Sequence, residues 1–580
     1  MCSERYISTV PLSLASVRKR VESFLAANSL RLDDVDCYVT VTRNEDSDDI
    51  LAGGGLKGNV IKCVAVSPEL RSEGLSGSLV SYLINLARER GYDSVKVFTK
   101  PGNTAIFSSL GFTVLARSPQ AVLMENGDGL KKYLRYLSSL RKDGRNGAIV
   151  MNANPFTKGH RYLVEEAASE VDNLYVIAVK EDLSRFPYAE RLAMIRAGLE
   201  DIPNVTVCEG SDYAVSAATF PTYFLKKLDD ASEEQMSLDI DLFASAIAPA
   251  LGVSVRFAGS EPQDKLTARY NELMAMLLPD NDIEFIEIAR LTNGGVPVSA
   301  SSLRKALDGG SLSEAMRYAY RTSLPYIVSD LAQRALQEEL DTTPKPGLVD
   351  RENSGAHADM DYATMCAGIR ALRPYFTAIA ERCVSSVDCT SVKKYGMEAE
   401  EAMLKATGGV NTHKGALFCI GLSIAAAAFL AAEDGEIWEQ QFRSLLSHAA
   451  ASIPRSSGTH GDGAIKKYKV KGALESAMEA YPDLFSDWLP YYRGLKGDKY
   501  RNHKTLLKIM SVLDDTNVLH RGGAEALQRV KNDAARLLDD FSAEALEELN
   551  REYVKDNISP GGSADMLALT IFISTLLTIN

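Results

Sequence analysis

Segments that read as β-strands stop part-way along this chain. Up to about residue 310, short apolar runs rich in Val and Ile alternate with helical stretches; beyond Ser323 the apolar residues recur at helical spacing alone. One hydrophobic core cannot serve both patterns, and 580 residues exceed the roughly 250–300 at which a single core stops growing. The texture predicts three domains: residues 1–142, α+β; residues 143–318, α/β with a parallel sheet; and residues 319–580, all-α. Short polar stretches, KDGRN at 142–146 and DGGS at 308–311, mark the junctions.

Composition enters by exclusion. With 46% hydrophobic and 24% charged residues the chain is neither collagen-like, mucin-like nor largely disordered. Acidic residues outnumber basic ones by 77 to 64, a net charge of −13, so a general electrostatic grip on nucleic acid is excluded and anionic ligands must be held locally. Eight cysteines show no Cys-x-x-Cys pair, which argues against zinc modules and disulfide frameworks and predicts reduced thiols in a cytoplasmic protein. The start, MCSERYIST, carries no secretory pattern. Two apolar runs, Ala416–Ala432 and Met566–Ile579, are expected to be buried helices: Gly421 and Ser423 interrupt the first, and the second is short of the roughly 20 residues needed to span a bilayer.

In the first region CYVTVTR (from Cys37), VIKCVAV (from Val60) and SVKVFT (from Ser94) read as strands, with a helix over Gly74–Arg90. In the second, GAIVMN, NLYVIAV, NVTVC, VRFAG and EFIEI alternate with helical segments, the rhythm of a doubly wound nucleotide-type fold. The third is predicted helical over Tyr326–Glu339, Asp361–Glu381, Lys414–Ala432 and Ala524–Lys555.

The stretch GAIVMNANPFTKGH (147–160) runs from a strand through a small loop into a helix, which presents unpaired N–H groups and the positive end of a dipole to a phosphate. It resembles the Thr/His-x-Gly-His signature of the nucleotidylyltransferase superfamily, with Asn154, Thr157, Gly159 and His160 in the loop. Near the end of the region VSASSLRK (298–305) resembles the superfamily's second signature, I-S-S-T-x-x-R, with Ser301, Ser302 and Arg304 in its phosphate-gripping places. Such groups stabilise charge on an α-phosphate and on departing pyrophosphate, so ATP is expected to be attacked at the α position. No G-x-x-x-x-G-K-[ST] sequence is present, which disfavours P-loop chemistry.

Together with FTKPGNTAIFSSLGF (98–112), FPYAERLAMI (186–195) and GSEPQDKLTARYNELM (259–274), these signatures make the first 310 residues similar to the citrate (pro-3S)-lyase ligase family. The resemblance implies that acetate attacks ATP to give acetyl-AMP and pyrophosphate. The acetyl group then passes to the prosthetic-group thiol on the acyl carrier subunit of citrate lyase. It also implies that Gly259, Ser260, Glu261 and Thr267 lie near the acyl or nucleotide end. The segment VAVSPELRSEGLSGSL (64–79) resembles the pyrophosphate loop of GNAT acyltransferases through Arg71 and Gly74, supported by Asn103, Gly111 and Phe112. Ser76 replaces the last small position of that pattern, so either a docking site for a coenzyme-A-like arm or an acyltransferase fits.

Five polar islands interrupt the last region: TPKPGLVDRENSGAHADMD (343–361), GGVNTHKGA (408–416), SGTHGDGAIKKY (457–468), DDTNVLHRGG (514–523) and NISPGGSADMLA (557–568). Capping and turn chemistry accounts for any one of them, but five such loops, carrying His357, His413 and His460, point to convergence on a polar pocket. The islands resemble the triphosphoribosyl-dephospho-coenzyme A synthase family. That likeness implies transfer of the triphosphoribosyl unit of ATP to the 2′-hydroxyl of 3′-dephospho-coenzyme A, with adenine released. Such a displacement asks for a base, a donor to adenine and cations on the triphosphate. Asp359, Asp361, Asp462, Asp515 and Asp565 are candidate bases or Mg²⁺ ligands, with Asp359, Asp361 and Asp565 foremost for the metal. Lys345, Arg351, Lys414 and Arg521 are candidate phosphate grips, and the three histidines candidate donors. A zinc site is disfavoured by the spacing.

The partners these resemblances imply are acetate, ATP with Mg²⁺, 3′-dephospho-coenzyme A and the carrier subunit, with no bound organic cofactor, nucleic acid or membrane. The rivals are a non-catalytic assembly factor and a pantetheine-phosphate-type nucleotidyltransferase fused to a cofactor synthase for malonate decarboxylase. The two activities are expected to run in parallel, each surviving a cut near Ser311.

Overall fold

The computed structural model describes residues 5–45, 47–71, 73–180, 184–213, 228–261, 264–453, 467–468 and 470–578. Its contacts fall into two compact units, one of residues 1–153 and 161–295, the other of residues 154–160 and 296–580. Both phosphate-type signatures, 154–160 and 298–305, thus pack with the helical unit.

The first unit holds two sheets. The N-terminal one has seven strands: β1 (Tyr6–Val10), β2 (Cys37–Thr42), β3 (Ala52–Lys57), β4 (Val60–Val66), β5 (Val95–Thr99), β6 (Thr113–Arg117) and β7 (Val122–Asn126), in the order β1-β2-β3-β4-β5-β7-β6. Sequence periodicity does not show β3, whose AGGGLK lacks β-branched residues. Its glycines belong there for close approach: a β-carbon on Gly54 would stand 2.9 Å from Leu83 and one on Gly53 2.7 Å from the Tyr38 hydroxyl. Leu83 sits on the helix Leu75–Glu89, which buries Leu75, Leu79, Val80, Leu83, Ile84 and Ala87 along one stripe. At roughly 1.5–3 kcal/mol for each large aliphatic side chain, that stripe fixes the helix to the sheet. Strands β4 and β5 are parallel and pair only at Val60–Lys96 and Ile61–Val97, then diverge.

The second sheet is all parallel: β8 (Asn146–Met151), β9 (Asn173–Ala178), β10 (Val205–Cys208), β11 (Val253–Gly259) and β12 (Glu284–Ile288), in the order β10-β9-β8-β11-β12. These are the five strands the apolar runs predict. The order reverses between β8 and β11, and the crevice outside the carboxyl ends of strands at such a reversal is where open α/β sheets take ligands.

The helical unit is built on Leu324–Asp341, Tyr362–Cys383, Cys389–Ala406, Lys414–Asp434, Glu439–Ala451, Arg501–Val512, Thr516–Asp539, Ala543–Lys555 and Gly561–Leu576, with shorter helices between. Lys414–Asp434 and Gly561–Leu576 are apolar on every side because the other helices cover them: Ile424 to Ala428 and Leu567 to Leu569 are fully buried. Among the described residues one helix, over Lys414–Glu433, is long and apolar enough to cross a membrane, and 78% of that window is buried inside the protein.

Two expectations are corrected here. Ala524–Lys555 is two helices, because Ser542 caps a new one by accepting the Ala545 N–H at 3.1 Å. The fourth and fifth islands hold helix starts as well as loops: helices begin at Thr516 and Gly561, the first breaking at Gly523 (φ 72°) before a second helical stretch runs on from Ala524. There Gly561 and Gly562 serve as close-packing positions, since a β-carbon on either would stand 2.7 Å from Asn517 or 3.1 Å from Asp515.

Candidate functional sites

The signature loop after β8 is held by its own side chains. Backbone N–H of Thr157 donates to Nδ1 of His160 at 3.0 Å, Thr157 Oγ1 lies 2.8 Å from the same nitrogen, and His160 N–H donates to Oγ1 at 3.2 Å. A backbone N–H can only donate, so Nδ1 carries the lone pair and the ring proton sits on Nε2. The ring stacks on Phe156 at 5.7 Å between centroids. Thr157 therefore orients His160 as a neutral N–H donor, a job a second histidine could not do with the same hydroxyl.

The second signature sits against the first. Ser299 caps the helix Ala300–Asp308, accepting the Ser302 N–H at 3.0 Å. Arg304 donates to the Asn154 carbonyl and, at 3.3 Å, to Ser301 Oγ. A β-carbon on Gly159 would collide with the Val298 carbonyl, so only glycine permits this approach. Asn154, Thr157, Gly159, His160, Ser301, Ser302 and Arg304 are thus one constellation: a helix N-terminus, a guanidinium and an imidazole N–H. Each is a donor, and together they suit a polyphosphate.

The loop is also fastened from behind. Lys158 donates to the carbonyls of Met316 and Arg317 at 3.0 and 3.2 Å, Thr157 bridges to Ala319, and buried Ser323 donates to the Phe156 carbonyl at 2.7 Å.

In the first unit, the loop after β11 is stitched by Arg290, which donates to the Ser260 carbonyl at 2.6 Å and pairs with Glu261. Asn271 donates to the Gly259 carbonyl at 3.0 Å, and the Thr267 N–H donates to the capping Asp264 at 3.3 Å. Arg191, missed as a functional residue by sequence reasoning, is fully buried and donates to the carbonyls of Asn152, Val179 and Phe186 at 2.8–3.0 Å. It ties the carboxyl ends of β8 and β9. Arg71 is exposed with Nε 3.5 Å from the Val66 carbonyl, and Gly74, at φ 73°, is the residue before the Leu75–Glu89 helix. Asn103 donates to Thr99 at 3.2 Å, and Phe112, following Gly111, packs edge-on against Phe107.

In the helical unit, four islands converge and the third is only partly described: His460 and Asp462 lie outside the described residues. Lys345 is 1% exposed and pairs with Glu339, 4% exposed. His413 is buried; its Nδ1 is 2.9 Å from Thr412 Oγ1, while its Nε2 is enclosed without a hydrogen-bond partner. Burial, with the Lys345 charge beside it, pushes the His413 imidazole down to about 3. Asp515, 1% exposed, accepts from Asn517 N–H (2.9 Å), Val518 N–H (3.4 Å), Ser563 N–H (2.8 Å) and Ser563 O–H (3.0 Å). Asp565 accepts the Ala416 N–H at the start of the Lys414–Asp434 helix, a position open only because residue 415 is glycine. Burial pushes the carboxyls of Glu339, Asp515 and Asp565 up, the last well up and further raised by Glu339 and Asp515. Glu339 is a member that sequence reading missed, because it looks like any polar residue of an amphipathic helix.

The other expected ligand groups contact neighbouring side chains and carbonyls. His357 accepts from Arg521 at 3.1 Å through Nδ1 and lies 2.9 Å from Ser559 through Nε2. Arg521 also donates to the Ala356 carbonyl (2.8 Å) and Asn557 (3.0 Å), so the pair pins the first island to the fifth. Arg351 pairs with Asp341 at 2.6 Å and Lys414 with Glu400 at 2.5 Å, both partly exposed. Asp361 caps the Tyr362–Cys383 helix through Thr364 (2.8 Å), and those bonds hold its carboxyl below the usual range. Asp359 is exposed. Among the described residues no three His, Cys, Asp or Glu side chains are grouped to hold an ion, and Mg²⁺ bound through triphosphate oxygens needs only one or two carboxylates.

Comparison with known proteins divides the chain near residue 326. The family described as citrate lyase ligase C-terminal domain matches residues 146–327, and that described as ATP:dephospho-CoA triphosphoribosyl transferase matches residues 326–579. A citrate (pro-3S)-lyase ligase of Escherichia coli K12 is 42% identical over 316 residues, 53% of this chain and 89% of the relative. That of Klebsiella pneumoniae is 44% identical over 295 residues, 50% and 86%. A protein of Azotobacter vinelandii named probable 2-(5''-triphosphoribosyl)-3'-dephosphocoenzyme-A synthase is 38% identical over 276 residues, 44% of this chain and 93% of the relative. The chain therefore belongs to two enzyme families in one polypeptide, the citrate lyase ligases and the triphosphoribosyl-dephospho-coenzyme A synthases.

Proposed function

We propose that this is a bifunctional enzyme of citrate lyase maturation. Its ligase part activates acetate with ATP: a carboxylate oxygen bonds to the α-phosphorus, the bond to the bridging oxygen of the β-phosphate breaks, and pyrophosphate leaves. The thiol of the prosthetic group on the lyase's carrier subunit then attacks acetyl-AMP, releasing AMP. His160 Nε2–H, Arg304 and the N–H groups at the start of the Ala300–Asp308 helix would donate to the phosphate oxygens as charge builds on them. Gly259, Ser260, Glu261 and Thr267 would border the acyl or adenylate end at the β8/β11 crevice of a Rossmann-like, nucleotidylyltransferase-like fold. The seven-stranded domain would be GNAT-like, with Arg71 and Gly74 receiving the pantetheine arm in the gap between β4 and β5.

The helical part transfers the triphosphoribosyl unit of ATP to the 2′-hydroxyl of 3′-dephospho-coenzyme A: the C1′–O bond forms, the C1′–N9 bond breaks, and adenine leaves. Mg²⁺ would enter on the triphosphate. Cytoplasm is the compartment that supplies these substrates.

The observation that carries this reading is the joining of the two separated signatures, 154–160 and 298–305, into one donor cradle, beside a second buried polar centre on other helices. The test has two arms on the full chain. Wild type should release pyrophosphate from ATP only with acetate present, and adenine only with 3′-dephospho-coenzyme A present. His160→Ala should lower the first by roughly 100-fold and spare the second. An assembly factor would do neither reaction and would tolerate the substitution.

A further inference from the structure

The polar centre of the helical unit gathers four carboxyls: Glu339 and buried Asp350 against the single lysine, Lys345, and Asp515 and Asp565 close enough to act on one another, with Glu339 also acting on Asp565. Three of the four are committed, Asp350 to the N–H groups of Lys345, Glu352 and Asn353. Glu339 pairs with Lys345, and Asp515 has four donors on its two oxygens. His413 supplies no positive charge, since its ring is buried beside Lys345. Cys419 and Tyr481, which also sense Asp565, are pushed up by burial and stay neutral. Asp565 differs in place as well as in partners. As a residue it is only half-buried, and its carboxyl rests on the helix start that Gly415 leaves clear. The enclosed, unpartnered Nε2 of His413, two residues before Gly415, marks the same helix start as built for something more than packing.

We propose that Asp565 is the group that gives a proton to the departing adenine, with Asp515 and the Glu339–Lys345 pair as positioning residues that fix the charge around it. This rests on the reading of the helical part as a triphosphoribosyl transferase. The C1′–N9 electron pair goes to adenine, which takes the Asp565 proton, while the attacking 2′-hydroxyl oxygen bonds to C1′. The hydroxyl proton returns to the carboxylate left on Asp565, directly or through water, so the step needs no further reactant. A carboxyl held well above its ordinary range by burial and by two like charges is suited to arrive at this step protonated.

Adenine release from ATP and 3′-dephospho-coenzyme A by the full chain tests this. Asp565→Asn keeps the shape and removes the acid; kcat should fall by roughly 100-fold or more while KM for ATP stays within about threefold. In the wild type kcat should decline as pH rises and the acid is lost, and the residual rate of the variant should lack that decline. Gly415→Ala, which displaces the carboxyl without removing it, should also lose kcat, so the test does not depend on one variant's folding. A variant Asp565→Asn with more than a tenth of the wild-type kcat, or with its loss entirely in KM, overturns the assignment. If the wild type itself releases no adenine, the synthase reading falls first and takes the assignment with it.

Discussion

His413 shows how far a single side chain can be moved from its ordinary chemistry. Its imidazole is pushed down to about 3 by burial and by Lys345, so the folded protein holds it neutral while an unfolded chain would protonate it near 6.5. Between those values the unfolded state binds the extra proton, and stability from this group is full above pH 6.5 and falls as pH drops toward 3. From pH 7 to pH 5 the loss is about 2 kcal/mol. His413→Asn, which can keep a bond to Thr412, should flatten the acid side of the thermal-midpoint curve of the helical part. Differential scanning calorimetry across that range checks it. Residues of this sort divide sharply in how far sequence gives them away. His160 and Arg304 are legible because their spacing within short signatures carries the chemistry. Glu339 is not, since it looks like the polar face of a helix until the fold brings Lys345 to it, while Asp515, singled out by its polar island, shows its bond to Ser563 only in the fold.

At the level of elements, the cap on Ala300–Asp308 joins stability to function. Ser299→Ala removes the acceptor for the Ser302 N–H, which should destabilise that helix by about 1 kcal/mol and loosen the N–H groups meant for phosphate. Acetate-dependent pyrophosphate release should fall several-fold through KM for ATP, with adenine release unchanged. The five parallel strands were readable because strands covered on both faces are continuous apolar runs. Strand β3 was not, because its glycines were chosen by Tyr38 and Leu83 across the sheet and not by strand propensity. The fourth and fifth islands misled for a related reason: glycine, serine and aspartate serve helix starts as readily as loops, and only the tertiary neighbours distinguish them.

Across the whole molecule, a cut near Ser311 would part the signature loop from residues that hold it. Residues 316–323 back the signature loop through Lys158, Thr157 and Phe156, so a fragment ending at residue 310 lacks the support of its own phosphate cradle. Fragment 1–310 should lose at least tenfold of the acetate-dependent pyrophosphate release that fragment 1–327 retains, as a direct comparison of the two would show. Texture alone could place the change from strands to helices, but not which side of it each contact serves. Ser323 has a further consequence. It is bonded to Phe156, and the next residue, Leu324, already begins the first long helix of the synthase part. Inside the helical unit the anchor of the signature loop is therefore followed directly by that helix, with no linker residue between them. Six Gly/Ser residues spliced between Ser323 and Leu324 should lower the thermal midpoint of the helical unit while adenine release persists, as calorimetry and the adenine assay would show.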